Sequence, residues 1–525
     1  MSQANSKFIP LQDKKWPVFT GGLVTNSEAN VIPYQNTPFA YNFRVNAGGI
    51  SIRPWFYTFK TLTWTWAKAF GITNYTRVSS ANNRLVFGYK ADSTHYLTTL
   101  DSSGNQVDIS TSTNITSENR MRFLPANDAI YCMNWVDSYG KLSWTTYTVP
   151  STGIATFKPA FGVYWNNCGW VSGNTADPTK LYKSAANNLD AYGSTAWTDQ
   201  FTSPYPISGL GVNQQSLYVF TRYSIDVFNT NSINQVASTL VYQSKPLEAT
   251  EGCANHDLIV SVGKGIFYIS PSNKVRMISP NSFGMYDFTE VSHRAWNGIT
   301  KTMEDLDPNQ DGCFGYAIPK KQIICWHMKS KGATYNDTVI VYHYEYDEWM
   351  VDTNKSFGGG TLFDSVPYTI SAVNPTVFYD EIGTTDDDSP IQFRYDTKDI
   401  DLGDPTILKC LWMARTFIKI SPKTKIYQRI YADGALVDEK LIDNTTIPQS
   451  KWGIGTLSIW SFAVGTEWYT DQLYNTVIVR DKGYLRIKAK RFSFSYVSYE
   501  SGSECLIQRL EPQMEQLHWL TTSHF

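Results

Sequence analysis

"DLIVSVGKGIFYIS", residues 257–270, holds two six-residue runs, 257–262 and 265–270, on either side of Gly263-Lys264. Val, Ile, Tyr and Phe suit a pleated, half-buried surface, and a glycine-containing join this short makes a hairpin turn. Runs of the same kind recur along the chain: "RLVFGY" (84–89), "AIYCMNW" (129–135), "SLYVFT" (216–221), "QIICWHM" (322–328) and "TVIVYHYEY" (338–346). Amphipathic helical patterns are nearly absent.

The runs share a beginning. A polar pair precedes most of them: Asn82-Asn83, Asn127-Asp128, Gln214-Gln215, His256-Asp257 and Lys320-Lys321. The pairs read as turns leading into the inner strand of a propeller blade, and the spacing is roughly one or two times a 40–50-residue blade period. A two-sheet sandwich with long insertions accounts for a similar set of strands. The expected fold is all-β: an N-terminal strand arm over residues 1–55, a β-propeller-like domain over 56–390 and a C-terminal antiparallel β-sandwich over 391–525.

Composition agrees with a strand-rich chain. Aromatics reach 15%, with 33 Tyr and 17 Trp, and 34 Gly and 23 Pro serve the turns. Net charge is −2, which excludes a general polyanion binder. Seven scattered cysteines fit buried apolar positions and a reducing compartment rather than a disulfide framework. No signal-like apolar segment opens the chain and no long apolar run follows, so the expectation is a chain made in a cytoplasm with no membrane-spanning segment.

Two stretches differ in style. "DSSGNQVDISTSTNITSEN" (101–119) reads as a protruding loop, and the acidic "DEIGTTDDDSP" (380–390) reads as a domain boundary. Beyond it, Asp433-Gly434 marks a hairpin between "QRIYA" and "ALVDEK". Near the other end, Gly48 and Gly49 in "NFRVNAGGISIRP" (42–54) make a second hairpin, able to add its strands to another sheet.

"GGL" (21–23), "YNFRVNAGGISIRP" (41–54), "SLYVFTRYSIDVF" (216–228), "GCANHDLIVSVGKGIFYISPSNKVRMIS" (252–279) and "YEYDEWMV" (344–351) occur in an order that resembles the tail nozzle, or packaged-DNA stabilisation (head–tail completion), proteins of short-tailed bacteriophages. One departure is Arg53-Pro54-Trp55, where that family reads Arg-Pro-Gly. The resemblance implies a virion protein assembled in the bacterial cytoplasm. It forms a ring, commonly of six copies, next to other tail or portal-adaptor proteins, and DNA passes through the lumen without sequence-specific binding. No catalytic residue or cofactor comes with it. The alternative is a glycan- or receptor-binding, or carbohydrate-active, propeller with Trp and Tyr as its stacking platform.

Few residues look chemical. Asp307, Asn309 and Asp311 stand at calcium-loop positions 1, 3 and 5 with Gly312 at 6, but position 12 is Ile318, so the bidentate carboxylate is missing and a plain turn is the preferred reading. Cys325 and His327, two apart on a strand, read as core packing. "SVGKGI" (261–266) lacks the first glycine and the hydroxyl residue of a phosphate loop. Glu345, Asp347 and Glu348 are candidate carboxylates for glycoside hydrolysis, against the commoner reading as surface turn acids. No catalytic set, metal or cofactor is assigned. In "YLRIKAKRF" (484–492), Arg486, Lys488 and Lys490 alternate with apolar residues, which puts three cations on one strand face as an assembly or DNA-facing candidate.

Overall fold

A computed structural model describes residues 19–28, 31–46, 48–62, 68–75, 83–91, 94–110, 115–117, 119–143, 146–152, 154, 157–192, 201, 203–213, 216–236, 239–247, 251–280, 286–294, 297–382, 386, 389–402, 404–420, 424–443, 475–480, 485–500 and 505–516. The chain forms two compact units. One is Phe56–Ile382, and the other joins Met1–Trp55 with Gly383–Phe525. Among the described residues no helix is long and apolar enough to cross a membrane.

In the first unit the described strands form seven antiparallel sheets of three or four strands, here blades I to VII. Their second strands begin at residues 84, 129, 168, 216, 265, 323 and 366, a period of 39 to 58 residues. The innermost strands are Lys68–Tyr75, Arg122–Ala126, Phe161–Trp165, Ile207–Asn213, Val260–Val262, Phe314–Ile318 and Phe357–Phe363. Each touches the innermost strand of the next blade, and that of blade VII touches that of blade I, so the ring is closed. Closure uses a borrowed strand: Tyr57–Thr61 pairs with Thr376–Tyr379 as the outer edge of blade VII. Phe59 holds it with edge-on contacts to Tyr368 and Tyr379 at 5.2 and 4.9 Å.

The core lies between blades. Tyr218, Phe220 and Ile225 of blade IV meet Ile266, Tyr268 and Ile278 of blade V in one such layer. Full burial of side chains this large contributes about 1.5–3 kcal/mol each. All seven cysteines are buried and free.

The structure departs from the sequence expectations at several points. Most polar pairs lie after the innermost strand, not before it. Asn127-Asp128 joins the first two strands of blade II with both φ values positive, at 50° and 56°, the signature of a two-residue I′ hairpin. Asn166-Asn167 and Asp364-Ser365 do the same in blades III and VII, which is why the period looked irregular without them. His256-Asp257 is the exception and precedes the first strand of blade V. Secondly, 101–119 is not all loop: Gln106–Ser110 is the outer strand of blade I, and the turn before it is tied by Asp101 Oδ1 accepting from the backbone N–H of Ser103 and Asn105. Thirdly, the first unit ends at Ile382 rather than 390, because Asp380 and Glu381 are buried within it.

The second unit is a sandwich built from both chain ends. One sheet runs Phe39–Tyr41, Phe393–Asp396, Phe492–Ser498, Lys425–Ala432, Ala435–Asp443. The other runs Phe43–Asn46, Gly49–Ile52, Cys505–Gln516, Lys409–Ile420, Asn475–Arg480, with the short Ile487–Ala489 also on Lys409–Ile420. The sheets face each other: the Thr416 and Tyr496 hydroxyls lie 2.8 Å apart, and Gln428 Nε2 donates to Thr416 at 2.7 Å. Residues 1–55 are therefore not a separate arm, since their described strands are members of both sheets.

Asn42 makes that dual membership possible. It sits between Phe39–Tyr41 in one sheet and Phe43–Asn46 in the other, at φ 57°, a left-handed conformation that asparagine tolerates better than most residues. Its amide donates to Gln392 O at 2.7 Å and accepts from Arg53 Nε at 3.0 Å, while the Arg53 guanidinium forks onto Asp386. Trp55, in the place of the family-like glycine, is 2% exposed.

The hairpin at 43–52 pairs Ile50 with Ile507 and Ser51 with Leu506. A Cβ on Gly49, at φ 145°, would stand 2.2 Å from Ile507 O, whereas one on Gly434, at φ 84° in the turn with Asp433, would meet nothing within 4 Å. Gly49→Ala is therefore expected to cost about 2–4 kcal/mol through strain and overpacking. Gly434→Ala is expected to cost about 1 kcal/mol, from the left-handed backbone alone. Urea midpoints of the two variants, compared at equal m-values, check the difference.

Candidate functional site: a cross-ring arginine–aspartate lock

The seven innermost strands start at one end of the ring, and three charged side chains meet there. Asn255 accepts a hydrogen bond from the Asp257 backbone and opens a single 3-10 turn, His256–Leu258, ahead of blade V. Leu258 is buried, and its carbonyl accepts from Trp326 Nε1 at 3.1 Å, so the turn is pinned below while Asp257 is presented above it. From blade II, Arg120 Nε lies 2.9 Å and Arg122 Nη2 2.7 Å from Asp257 Oδ2.

The same two arginines reach further. Arg122 Nη2 donates to Asn255 Oδ1 at 3.2 Å, and its Nη1 donates to Ala160 O beside blade III at 3.4 Å. Arg120 Nη1 donates to Gly358 O in blade VII at 2.9 Å and to Gly312 O before blade VI at 3.4 Å. Side chains of one blade that touch the heads of four others must cross the ring axis. Aromatic faces support both guanidinium groups, Phe314 under Arg120 at 5.3 Å and Trp135 under Arg122 at 5.4 Å.

Burial alone would raise the Asp257 carboxyl, but Arg120 and Arg122 outweigh it and hold it down at about 2. The carboxylate stays ionised and saturated with cations, which suits a lock and not a general base. Beside it, burial pushes His256 down to about 4, against the opposing pull of Asp257. The neutral ring stacks on Phe161 at 4.8 Å and its Nδ1 accepts from Leu210 N–H. Arg120 and Arg122 escape a motif search. The period-2 reasoning applied to 486–490 picks out "RMR" at 120–122 equally well, since Met121 between them is buried.

On the rim of that end, Tyr205 and Tyr223 are 45% and 61% exposed, with ring centroids 4.9 Å apart at 62°. Next to them Arg222 Nη2 donates to Asn309 Oδ1.

The residues singled out in the sequence fall elsewhere. Asp307 caps its own turn, accepting from the Asn309 backbone and from Gln310 Nε2, and Asn309 is held by Arg222, so neither is arranged around a cation. Among the described residues no group of three His, Cys, Asp or Glu is placed to hold a metal ion. Cys325 and His327 are both buried, and His327 lies flat on Phe314 at 4.5 Å. Burial drives the His327 imidazole down to about 3. Gly263-Lys264 joins the first two strands of blade V, and Lys264 Nζ lies 3.0 Å from Glu345. Asp347 pairs with Arg294 and accepts from Tyr342 Oη at 2.6 Å, so these two acids have partners of their own.

Arg486, Lys488 and Lys490 are exposed, with apolar Ala489 buried between them. They do not share one long strand. Only Ile487–Ala489 pairs, against Lys409–Leu411, and Arg486 precedes it at φ 47° with its guanidinium 5.7 Å from the Trp412 ring. Within the acidic stretch 380–390 the described acids Asp380, Glu381 and Asp386 are each buried within their own unit.

The fold defines a seven-bladed β-propeller inserted into a β-sandwich. No family model and no curated protein sequence matches the chain. Solved structures similar to part of it include YCF48 bound to a D1 peptide, at 10% identity and TM-score 0.40 over 64% of this chain and 94% of that one. Virginiamycin B lyase from Staphylococcus aureus is 9% identical over 63% of this chain and 97% of its own, at TM-score 0.39. A nidogen/laminin complex reaches 13% identity and TM-score 0.28 over 43% and 81%. The blade order follows from the strand pairing of this chain.

Removing one member of the lock leaves the others buried and unpaired, so Asp257→Ala is expected to destabilise the propeller by about 3–5 kcal/mol. Chemical denaturation of the variant against wild type checks it. A pH series tests the neighbouring groups. His256, His327 and Asp257 all titrate lower in the folded chain than their ordinary values of 6.5, 6.5 and 3.8, so the unfolded chain binds more protons and stability is lost as the pH is lowered. The imidazole contributions are complete above about pH 6.5 and fade toward 4 for His256 and 3 for His327, and that of Asp257 fades between 3.8 and about 2. His327→Phe should flatten the melting-temperature decline between pH 6.5 and 4, read by differential scanning calorimetry.

Proposed function

We propose that the chain is a non-catalytic binding protein whose propeller recognises a glycan or a protein receptor on the rim at the head of its innermost strands. The exposed Tyr205–Tyr223 pair, with Arg222 between them in the sequence as a polar handle, carries this reading. Beneath the rim the axis is filled by Arg120, Arg122 and Asp257, which supports the rim surface as the place of contact. Exposed phenol rings supply flat apolar area with a hydroxyl at the edge, the combination that stacks on sugars and fills receptor interfaces. Tyr223→Ala, or Tyr205→Ala, is expected to weaken binding at least about tenfold without altering the far-ultraviolet circular dichroism. A glycan array with titration of its hits reads this out. Unchanged affinity in both variants would sink the rim assignment.

A second reading follows the resemblance to short-tailed phage tail nozzle proteins. There the chain is a virion component, a ring commonly of six copies that retains packaged DNA and forms part of its exit conduit beside other tail or portal-adaptor proteins. The exposed cations Arg486, Lys488 and Lys490 favour it, as a patch able to meet a different patch on the next copy. In that reading the conduit lies between copies, since the axis of each propeller is filled. Negative-stain images of the purified chain are expected to show rings, and the triple glutamate variant at 486, 488 and 490 to form them more slowly with an altered salt dependence. Single particles of one copy at all concentrations, together with a glycan hit, would leave only the first reading.

A further inference from the structure

A second charged cluster lies between blades VI and VII, and neither reading above uses it. Lys355 stands in the connection between Glu348–Thr353 and Phe357–Phe363, and its side chain is almost wholly buried. Around its Nζ are three carboxylates, equally buried: Asp380 Oδ1 at 2.9 Å, Glu381 Oε1 at 3.1 Å and Asp352 Oδ2 at 3.2 Å. The other Asp380 oxygen accepts from Tyr316 Oη at 2.5 Å. The other Glu381 oxygen lies 3.3 Å from Lys321 Nζ, which reaches the cluster from a more exposed position. Rings close the surroundings, with His327 5.7 Å from Tyr316 and stacked on Phe314.

One buried ammonium facing three buried carboxylates is poorly compensated, because each ion has been removed from water. The arrangement also brings together the parts of a condensation. An amine stands against a carboxyl group, the carboxyl carbon is one bond behind the oxygen it touches, a hydroxyl donor holds the second oxygen, and a separate carboxylate is within proton reach of the amine. Groups held near about 3–3.5 Å in a buried site react as if at very high concentration. We propose that Lys355 Nζ and Asp380 Cγ condense to an intramolecular isopeptide bond, with Glu381 carrying the proton.

The steps balance without a further reagent. The Lys355 ammonium passes one proton to Asp380, which converts the ion pair to an amine and a carboxylic acid, a change that low polarity favours. The amine attacks Cγ, and Tyr316 Oη donates to the oxygen that takes up the negative charge. Glu381 accepts the second proton from the nitrogen and returns it to the departing hydroxyl. The C–O bond breaks, water leaves, and an amide with one N–H remains while Glu381 is again a carboxylate. Asp380 is the partner because its distance to Nζ is the shortest of the three and it alone has the Tyr316 donor. Burial and the Asp380 charge keep that phenol protonated. The bond would tie the entry of blade VII to the residue that follows its third strand, Thr376–Tyr379.

The test is the mass of the full-length chain. Intact mass spectrometry of the purified protein is expected to give one water less than the sequence mass, and peptide fragmentation to find residues 355 and 380 in one branched peptide. Lys355→Arg keeps the positive charge but removes the primary amine, and should show the full mass with an unchanged circular dichroism spectrum. Glu381→Gln should also keep the full mass, and Asp352→Asn should still lose the water. Folded wild-type protein at its full sequence mass, or a water loss located at another pair, overturns the proposal. The wild-type measurement decides even if every variant misfolds.

Discussion

The pairing of Tyr57–Thr61 with Thr376–Tyr379 is the contact on which the propeller depends. A blade alone is a small sheet with two open edges and two uncovered faces, and neither is stable in water. Stacking covers the faces, yet an open arc of seven blades still leaves its two end faces bare. The borrowed strand brings the first and last parts of the domain into one blade, so that the innermost strands of blades VII and I touch and the last bare faces meet. Arg120 then has Gly312 O and Gly358 O within reach, which it has only in a closed ring.

Buried ions in this chain specify arrangement more than they add stability. Arg120 and Arg122 share Asp257 across the ring, and Arg53 forks onto Asp386 in the sandwich. Desolvation offsets much of the attraction in each. A guanidinium with several donors in a rigid plane accepts few geometries, however, and both sites join segments remote in sequence. Charged residues are scarce for the chain length, and several of them are committed to its interior.

The sandwich depends on pairing between segments far apart in the sequence. Its central pairing sets Ile50 against Ile507, so almost the whole chain lies between partners. All described strands of the propeller lie between residues 57 and 379, so its ring uses no strand of the sandwich. Contacts of such separation carry a large loop-closure cost, which a folded insertion lowers by holding its own ends together. Tyr57 and Tyr379 are direct neighbours across the closing strands, so the segments leaving the propeller start side by side.

What the sequence alone determined was local. Alternating apolar runs marked strands such as Ser216–Thr221 and Ile323–Met328, and Asp433-Gly434 marked its hairpin, because side-chain period and backbone torsion are properties of a few adjacent residues. The all-β class and the blade-like spacing followed from these. Tertiary structure decided the rest. Nothing near Asn42 says that the chain changes sheets there, and nothing near Thr61 says that it completes a blade more than 300 residues away. Asp257 looked like half of a turn and became the axial acid, since its partners stand 135 and 137 residues earlier and meet it only when the ring shuts. Long-range partners leave no local period in a single sequence, and the ion pairs of Asp257 and of Asp386 are of that kind.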